Sequence, residues 1–230
     1  MDLSKRSGSS RNYPVFILCL VFSALGWSQT KPAASSSVSF IFDFPGSAPA
    51  HYGINATSDG HASYVSDGKL SKDANSDQPY TLDFTISRSS VDRIFELAKQ
   101  AHYFEGNIDS KKKNIASTGD KTLMYKDARK DTIASYNYSS IPAVQDLTTL
   151  FENLSATLEF GHRLEYDYRY QKLALDQDTK AMEDMADRGD LVELGAIAPT
   201  LHKIAGDPSV VNVARARILH LLERAGAPTR

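Results

Sequence analysis

The feature that most constrains this chain is a change of hydrophobic period at Ile141. Before it, apolar side chains mostly recur at every second residue, which lines one face of a strand; after it they recur at every third or fourth, which lines one face of a helix. Strands that come first, joined by tight turns, followed by a run of helices, specify an α+β fold with an antiparallel sheet.

In SVSFIFDFPG (37–46), Phe40, Phe42 and Phe44 share a face, and Pro45-Gly46 ends the strand. Tyr52, Ile54 and Ala56 then alternate toward Asp59-Gly60, a pair suited to the positive backbone angles of a tight hairpin. Beyond that turn Ala62 and Tyr64 take one face and His61, Ser63 and Val65 the other, until Asp67-Gly68 stops the strand. Residues 69–79 read as an exposed loop, and YTLDFTIS (80–87) alternates again through Leu82, Phe84 and Ile86. A helix capped by Ser89 or Ser90 carries Val91, Ile94, Phe95, Ala98 and Ala101 down onto the sheet and runs to Gly106. The polar stretch 106–120, with Lys111 to Lys113, is a solvated loop. A second hairpin, 121–139, has Leu123 and Tyr125 on one strand, KDARKD as its turn, and Ile133, Tyr136 and Tyr138 on the return.

Pro142 suits a first helical position, and Val144, Leu147, Leu150, Phe151 and Leu154 form a stripe behind it. Leu164, Tyr168, Gln171, Leu175, Met182 and Met185 extend that pattern, so one long helix is expected to reach Arg188 before Gly189-Asp190. Leu191, Leu194, Ile197, Leu201 and Ile204 predict the next helix, and Val210 to Leu222 the last. The expected organisation is a signal peptide (1–30), a linker (31–37), an antiparallel α+β domain (38–139) and a helical region (140–230).

The leader is read from Lys5, Arg6 and Arg11 ahead of VFILCLVFSALGW (15–27), an apolar run shorter than the ~20 residues of a membrane span. Small Ala24 and Gly26 suit peptidase cleavage, so the mature chain is expected in the periplasm or outside the cell, with no stable membrane insertion; an uncleaved anchor is the alternative. Cys19, the only cysteine, leaves with the leader, and with it any disulfide or thiolate chemistry. The leader carries three of the cations and Asp2, so the formal charge of −2 falls to −4 without it. That acidity disfavours a nucleic-acid partner, which needs a basic stripe.

SDGHASYVSDG (58–68) gathers acid, imidazole and hydroxyl. Calcium would need a denser series of oxygen ligands, and zinc more than His51 and His61, which flank the turn and could face each other but make only a pair. Asp59, His61 and Ser63 lack the strained nucleophile turn and oxyanion donors of a hydrolytic triad. The stretch therefore reads as scaffold. His102 suits a helix C-terminus; His162, His202 and His220 stand alone on helices, and adjacent Glu183 and Asp184 diverge. No phosphate loop, dinucleotide fingerprint or Gly-x-Ser-x-Gly is present, so no catalytic residue, metal or cofactor is predicted.

IAPTLHKIAGDPSVVNVARARILHLLERAG (197–226), with Pro199, Asp207 and Arg215 between Ala214 and Ala216, resembles a single HEAT-type helical hairpin. The preceding arrangement of Tyr52-x-Ile54, Asp59-Gly60, Tyr64, HYFEG (102–106) and a second hairpin is similar to an uncharacterised family of exported bacterial proteins. Those resemblances imply fold and export and bring no catalytic residue. The expected function is a non-catalytic exported module that binds a protein or cell-envelope component. The alternatives are an inhibitor or accessory subunit presenting its hairpin turns, and a hydrolase using Asp59, His61, His51 and Ser63.

Overall fold

The computed structural model describes residues 35–70, 78–112 and 116–226. The expected leader, most of the linker and the middle of the 69–79 loop lie outside the described residues. Six strands form one antiparallel sheet: β1 (Ser37–Asp43), β2 (His51–Thr57), β3 (His61–Ser66), β4 (Tyr80–Thr85), β5 (Asp120–Lys126) and β6 (Asp131–Tyr136). Their order is β4-β3-β2-β1-β5-β6, so the first hairpin series and the second meet on either side of β1. The α+β architecture read from the change of period is the one observed.

Alternation decides which face is covered. Register places Phe84, Ala62, Ala56, Val38, Tyr125 and Thr132 in one row across the sheet, and Leu82, Tyr64, Ile54, Phe40, Leu123 and Ala134 in the next. These rows face helices. The opposite face carries Ser39 hydrogen-bonded to Asn55 (2.8 Å), Thr122 paired with Ser135 (2.9 Å), and Val65 and Ile133 open to solvent. His61, Ser63 and Val65 lie on that open face, as their alternation with Tyr64 predicts.

Two helices cover the buried face. α1 (Arg88–Gln100) presents Val91, Ile94, Leu97 and Ala98 to it. Its cap is Ser87, whose side chain accepts from the Ser90 amide, so Ser89 and Ser90 fall inside the first turn rather than at the cap. Glu193 reinforces this end from a distant loop: its carboxylate accepts from the Ser87 amide (2.9 Å) and hydroxyl (2.6 Å). The helix also stops earlier than Gly106. His102, Tyr103 and Phe104 all take positive φ (51°, 55° and 64°), a left-handed turn that buries Phe104.

The second, α2 (Pro142–Tyr170), runs across the strands. Thr148 meets Tyr136 on β6, Phe151 stacks on Phe40 of β1 at 5.4 Å, Glu159 meets Tyr64 of β3, and His162 stacks on Tyr80 of β4 at 4.0 Å. From Thr148 to His162 the helix rises ~21 Å, close to the ~24 Å that five strand spacings cover. On its outer side lie α3 (Ala174–Arg188), α4 (Ala198–Ala205) and α5 (Asn212–Arg224). The consecutive residues Thr157 to Gly161 are all buried, because sheet and outer helices enclose that stretch on every side. One hydrophobic cluster therefore runs from Val38 to Leu222.

The long helix expected to reach Arg188 is interrupted at Gln171–Leu173. Tyr168 and Lys172 at the break both donate to Asp207 Oδ2 (2.9 and 2.7 Å), fastening the bend to the turn between α4 and α5. Gln171 is exposed, not part of an apolar stripe. Leu191 precedes the helical segment it was assigned to, and Val211 precedes α5. Arg215 ties α5 to α4 through the Ala205 carbonyl (2.8 Å). Among the described residues no helix is long and apolar enough to cross a membrane.

Candidate functional site

The four residues singled out around the first hairpin do not converge. His51 opens β2 and pairs with Asp43 (2.5 Å). His61 opens β3 beside the turn, so the two imidazoles stand at opposite ends of the hairpin, ~20 Å apart, and do not face each other. Asp59 accepts from the Thr57 hydroxyl (2.5 Å) and the His61 amide (3.2 Å), bonds that close the turn and hold its carboxyl below the ordinary range. Only His61 and Ser63 share a wall, in a shallow concavity of about 500 Å³ with Asn55 and Asp83. Two of the helical histidines have acidic neighbours: His162 Nδ1 lies 3.6 Å from Glu159 and His220 Nδ1 3.2 Å from Glu183. Among the described residues no three His, Cys, Asp or Glu are placed to hold a metal ion.

A different constellation forms where α2 crosses the end of the sheet. The strand register aligns Tyr80, Ser66, Tyr52, Phe42, Lys121 and Tyr136 in one row over all six strands. Unlike its two neighbours this row is mostly polar-tipped. Facing it, α2 presents Thr148, Glu152, Ser155, Glu159 and His162, spaced four, three, four and three residues apart and therefore on one stripe. Beside it runs the apolar stripe of Val144, Leu147, Phe151, Leu154 and Leu158. The meeting of row and stripe is a buried polar seam.

Several of its groups are held by hydrogen bonds. Tyr64, from the middle row, donates to Glu159 Oε1 (2.7 Å), so the Ser155 hydroxyl supplies the proton of the 2.9 Å Ser155–Tyr64 bond. Thr148 donates to the Val144 carbonyl (2.7 Å), leaving Tyr136 to donate to Thr148. Lys121, only 4% exposed, offers three protons to four oxygens: the Thr118 carbonyl and hydroxyl and the Gly119 and Asn137 carbonyls, at 2.9–3.3 Å. Its ammonium is thus a fixed positive charge rather than a mobile base, and burial pulls its pKa down. Among the described residues His162 Nδ1 is buried without a hydrogen bond, since Glu159 stands at ion-pair but not hydrogen-bond distance.

Burial dominates the electrostatics. It pushes the phenols of Tyr52, Tyr64 and Tyr136 far above their ordinary value, and the Tyr80 phenol up to about 12. The negative charge of Glu152 adds to the rise at Tyr52 and Tyr136. Glu152 itself is raised by burial, and the Lys121 charge only partly offsets this. Among the described residues its carboxylate has no hydrogen bond or ion pair.

Two concavities open along the seam, and Glu152 lines both. One, about 430 Å³, is walled by Lys121, Tyr136, Tyr138, Gln145 and Thr149; the other, about 350 Å³, by Phe42, Tyr52, Ser155, Glu159 and Arg163. A half-buried carboxylate without a hydrogen bond between two such openings is positioned to receive a polar group from outside. No protein family, curated protein or solved structure matches the chain.

The members of this site are spread from Phe42 to His162 and none forms a local motif, so nothing local in the sequence singles them out. One signal was present: a polar stripe with heptad-like spacing running alongside an apolar one on the same helix.

Proposed function

We propose that the protein is a non-catalytic exported module that binds a protein or cell-envelope component, gripping it in the seam groove. The observation that supports this reading is Glu152, the charged group left open between two concavities while Lys121, Tyr64, Tyr136 and Ser155 around it each have hydrogen-bond partners of their own. A wall whose rotamers are locked by mutual hydrogen bonds is preorganised for recognition, because little ordering remains to oppose binding. The leader of 1–30 supplies the address, and α4 with α5, as a HEAT-like hairpin, stiffens the far side of α2.

The test is photo-crosslinking in the source organism. A photoreactive residue at Thr149, exposed beside Glu152, is compared with one at Leu219, exposed on α5. A discrete adduct with an envelope or exported component from position 149 alone supports the proposal. No adduct, or the same adducts from both positions, refutes it.

A further inference from the structure

Three properties of the groove narrow what it holds. Its only unpartnered charge is negative, for Lys121 is saturated by oxygen acceptors and the other cation lining it, Arg163, lies 3.8 Å from Asp178 and over the Phe160 ring. Aromatic rings stand on both sides of that charge, Tyr136 and Tyr138 in one concavity, Phe42 and Tyr52 in the other. The openings, about 430 and 350 Å³, each have room for a charged side chain or a small amine beside those rings.

We infer that Glu152 receives an alkyl ammonium or guanidinium group, whose charge pairs with the carboxylate and whose stem lies along the neighbouring rings. An anion would meet the like charge of Glu152, which Lys121 only partly offsets. A neutral hydroxyl ligand would give it a hydrogen bond but leave the half-buried charge in place, whereas a cation neutralises it and gains from the ring faces. The upward displacement of the Glu152 carboxyl agrees, since it marks an anion that burial leaves undercompensated. Lys121 adds repulsion, but its ammonium is turned toward Thr118, Gly119 and Asn137.

This inference deepens the proposed binding role and names the chemistry of its ligand. The group has two sources, a Lys or Arg side chain of a bound protein or a free amine, and the assay separates them. Full-length protein is titrated with n-butylamine, n-butylguanidine, n-butanol and butyrate, then with spermidine and a blocked Gly-Lys-Gly peptide, following the amide resonances of Gln145, Glu152 and Ser155. The two cations shift these resonances in the millimolar range while butanol and butyrate do not. Glu152→Gln, which keeps the wild-type thermal midpoint or raises it, loses the response at least tenfold. Tighter binding of the peptide assigns the cation to a protein partner, and tighter binding of spermidine to a free amine. Equal binding of butanol or butyrate, or an unchanged response in Glu152→Gln, overturns the inference. An adduct from position 149 combined with no response to the cations removes the ligand class and leaves the module; cation binding without the adduct does the reverse.

Discussion

Replacing Tyr64 by Phe deletes one oxygen from the best-connected point of the seam. The ring is 2% exposed, so its packing on Tyr52 and Tyr80 persists and only the hydroxyl is lost. That hydroxyl makes a bond to a carboxylate at 2.7 Å and one to Ser155 at 2.9 Å. A hydrogen bond to a charged group contributes ~1.5–3 kcal/mol and a neutral one ~1 kcal/mol. Ser155 can turn back to a carbonyl of its own helix, which recovers most of the smaller share. Glu159, with a side chain 10% exposed, has only the His162 imidazole 3.6 Å away to turn to. The expected loss is therefore ~2–3 kcal/mol, which in a domain of this size lowers the thermal midpoint by ~5–10 °C. Urea denaturation followed by far-ultraviolet circular dichroism measures it, with an unchanged slope showing that the same surface unfolds. In a double-mutant cycle with Glu159→Gln the two substitutions should couple by on the order of 1 kcal/mol. A loss below ~0.5 kcal/mol at constant slope, the range of an ordinary surface change, would refute the network.

Asp167, buried on α2 and hydrogen-bonded to Asp178 of α3, has its carboxyl pushed up to about 7, first by burial and then by that neighbour. A folded pKa above the unfolded 3.8 means the native state holds a proton that the unfolded chain has released. Stability from this group is complete below 3.8 and is lost as pH rises through about 7; Asp167→Asn should abolish that decline, and parallel midpoint-against-pH curves for the two proteins would contradict it. A Cβ at Gly161 would stand 2.5 Å from Ile197 Cγ2, so Gly161→Ala should destabilise despite its ~1 kcal/mol of helix propensity, and Ile197→Ala in the same chain should restore the midpoint. Gly60 holds φ +92° in the first hairpin turn; Gly60→Val should cost ~1 kcal/mol or more, whereas His61→Ala with Ser63→Ala on the solvated face should change stability by less than ~0.5 kcal/mol. Equal midpoints for those last two variants would show that the turn needs no positive φ.

The strands were legible because each has one wet face and one dry face: Tyr52, Ile54 and Ala56 alternate with Gly53 and Asn55 in the sequence as they do across the sheet. Helix boundaries set by distant partners were not. Nothing near Gln171 announces a break, because Asp207 helps to fix it from the turn before α5, and the early end of α1 depends on a left-handed turn that Phe104 holds by burial. Pairing His51 with His61 failed for a related reason. Closeness to a turn in sequence says nothing about which rung of the ladder a residue occupies, and these two sit at opposite ends of it.

The seam lies at the limit of what pattern can reveal. On α2 alone, Thr148, Glu152, Ser155, Glu159 and His162 look like a solvated stripe, the ordinary fate of polar residues beside an apolar face. They become an interior wall only when the sheet register brings Tyr52, Lys121 and Tyr136 into one row beneath them, and register is a property of pairs of strands. An all-apolar contact between row and helix would have been at least as stable, since buried polar groups at best break even against well-packed hydrophobic ones. A fold that carries such a wall, and leaves the Glu152 carboxylate open between two concavities, departs from what stability favours at that point. Departures of that kind mark sites where a residue is kept for what it meets from outside, so Glu152, rather than the histidines of the hairpin, is where function is to be sought.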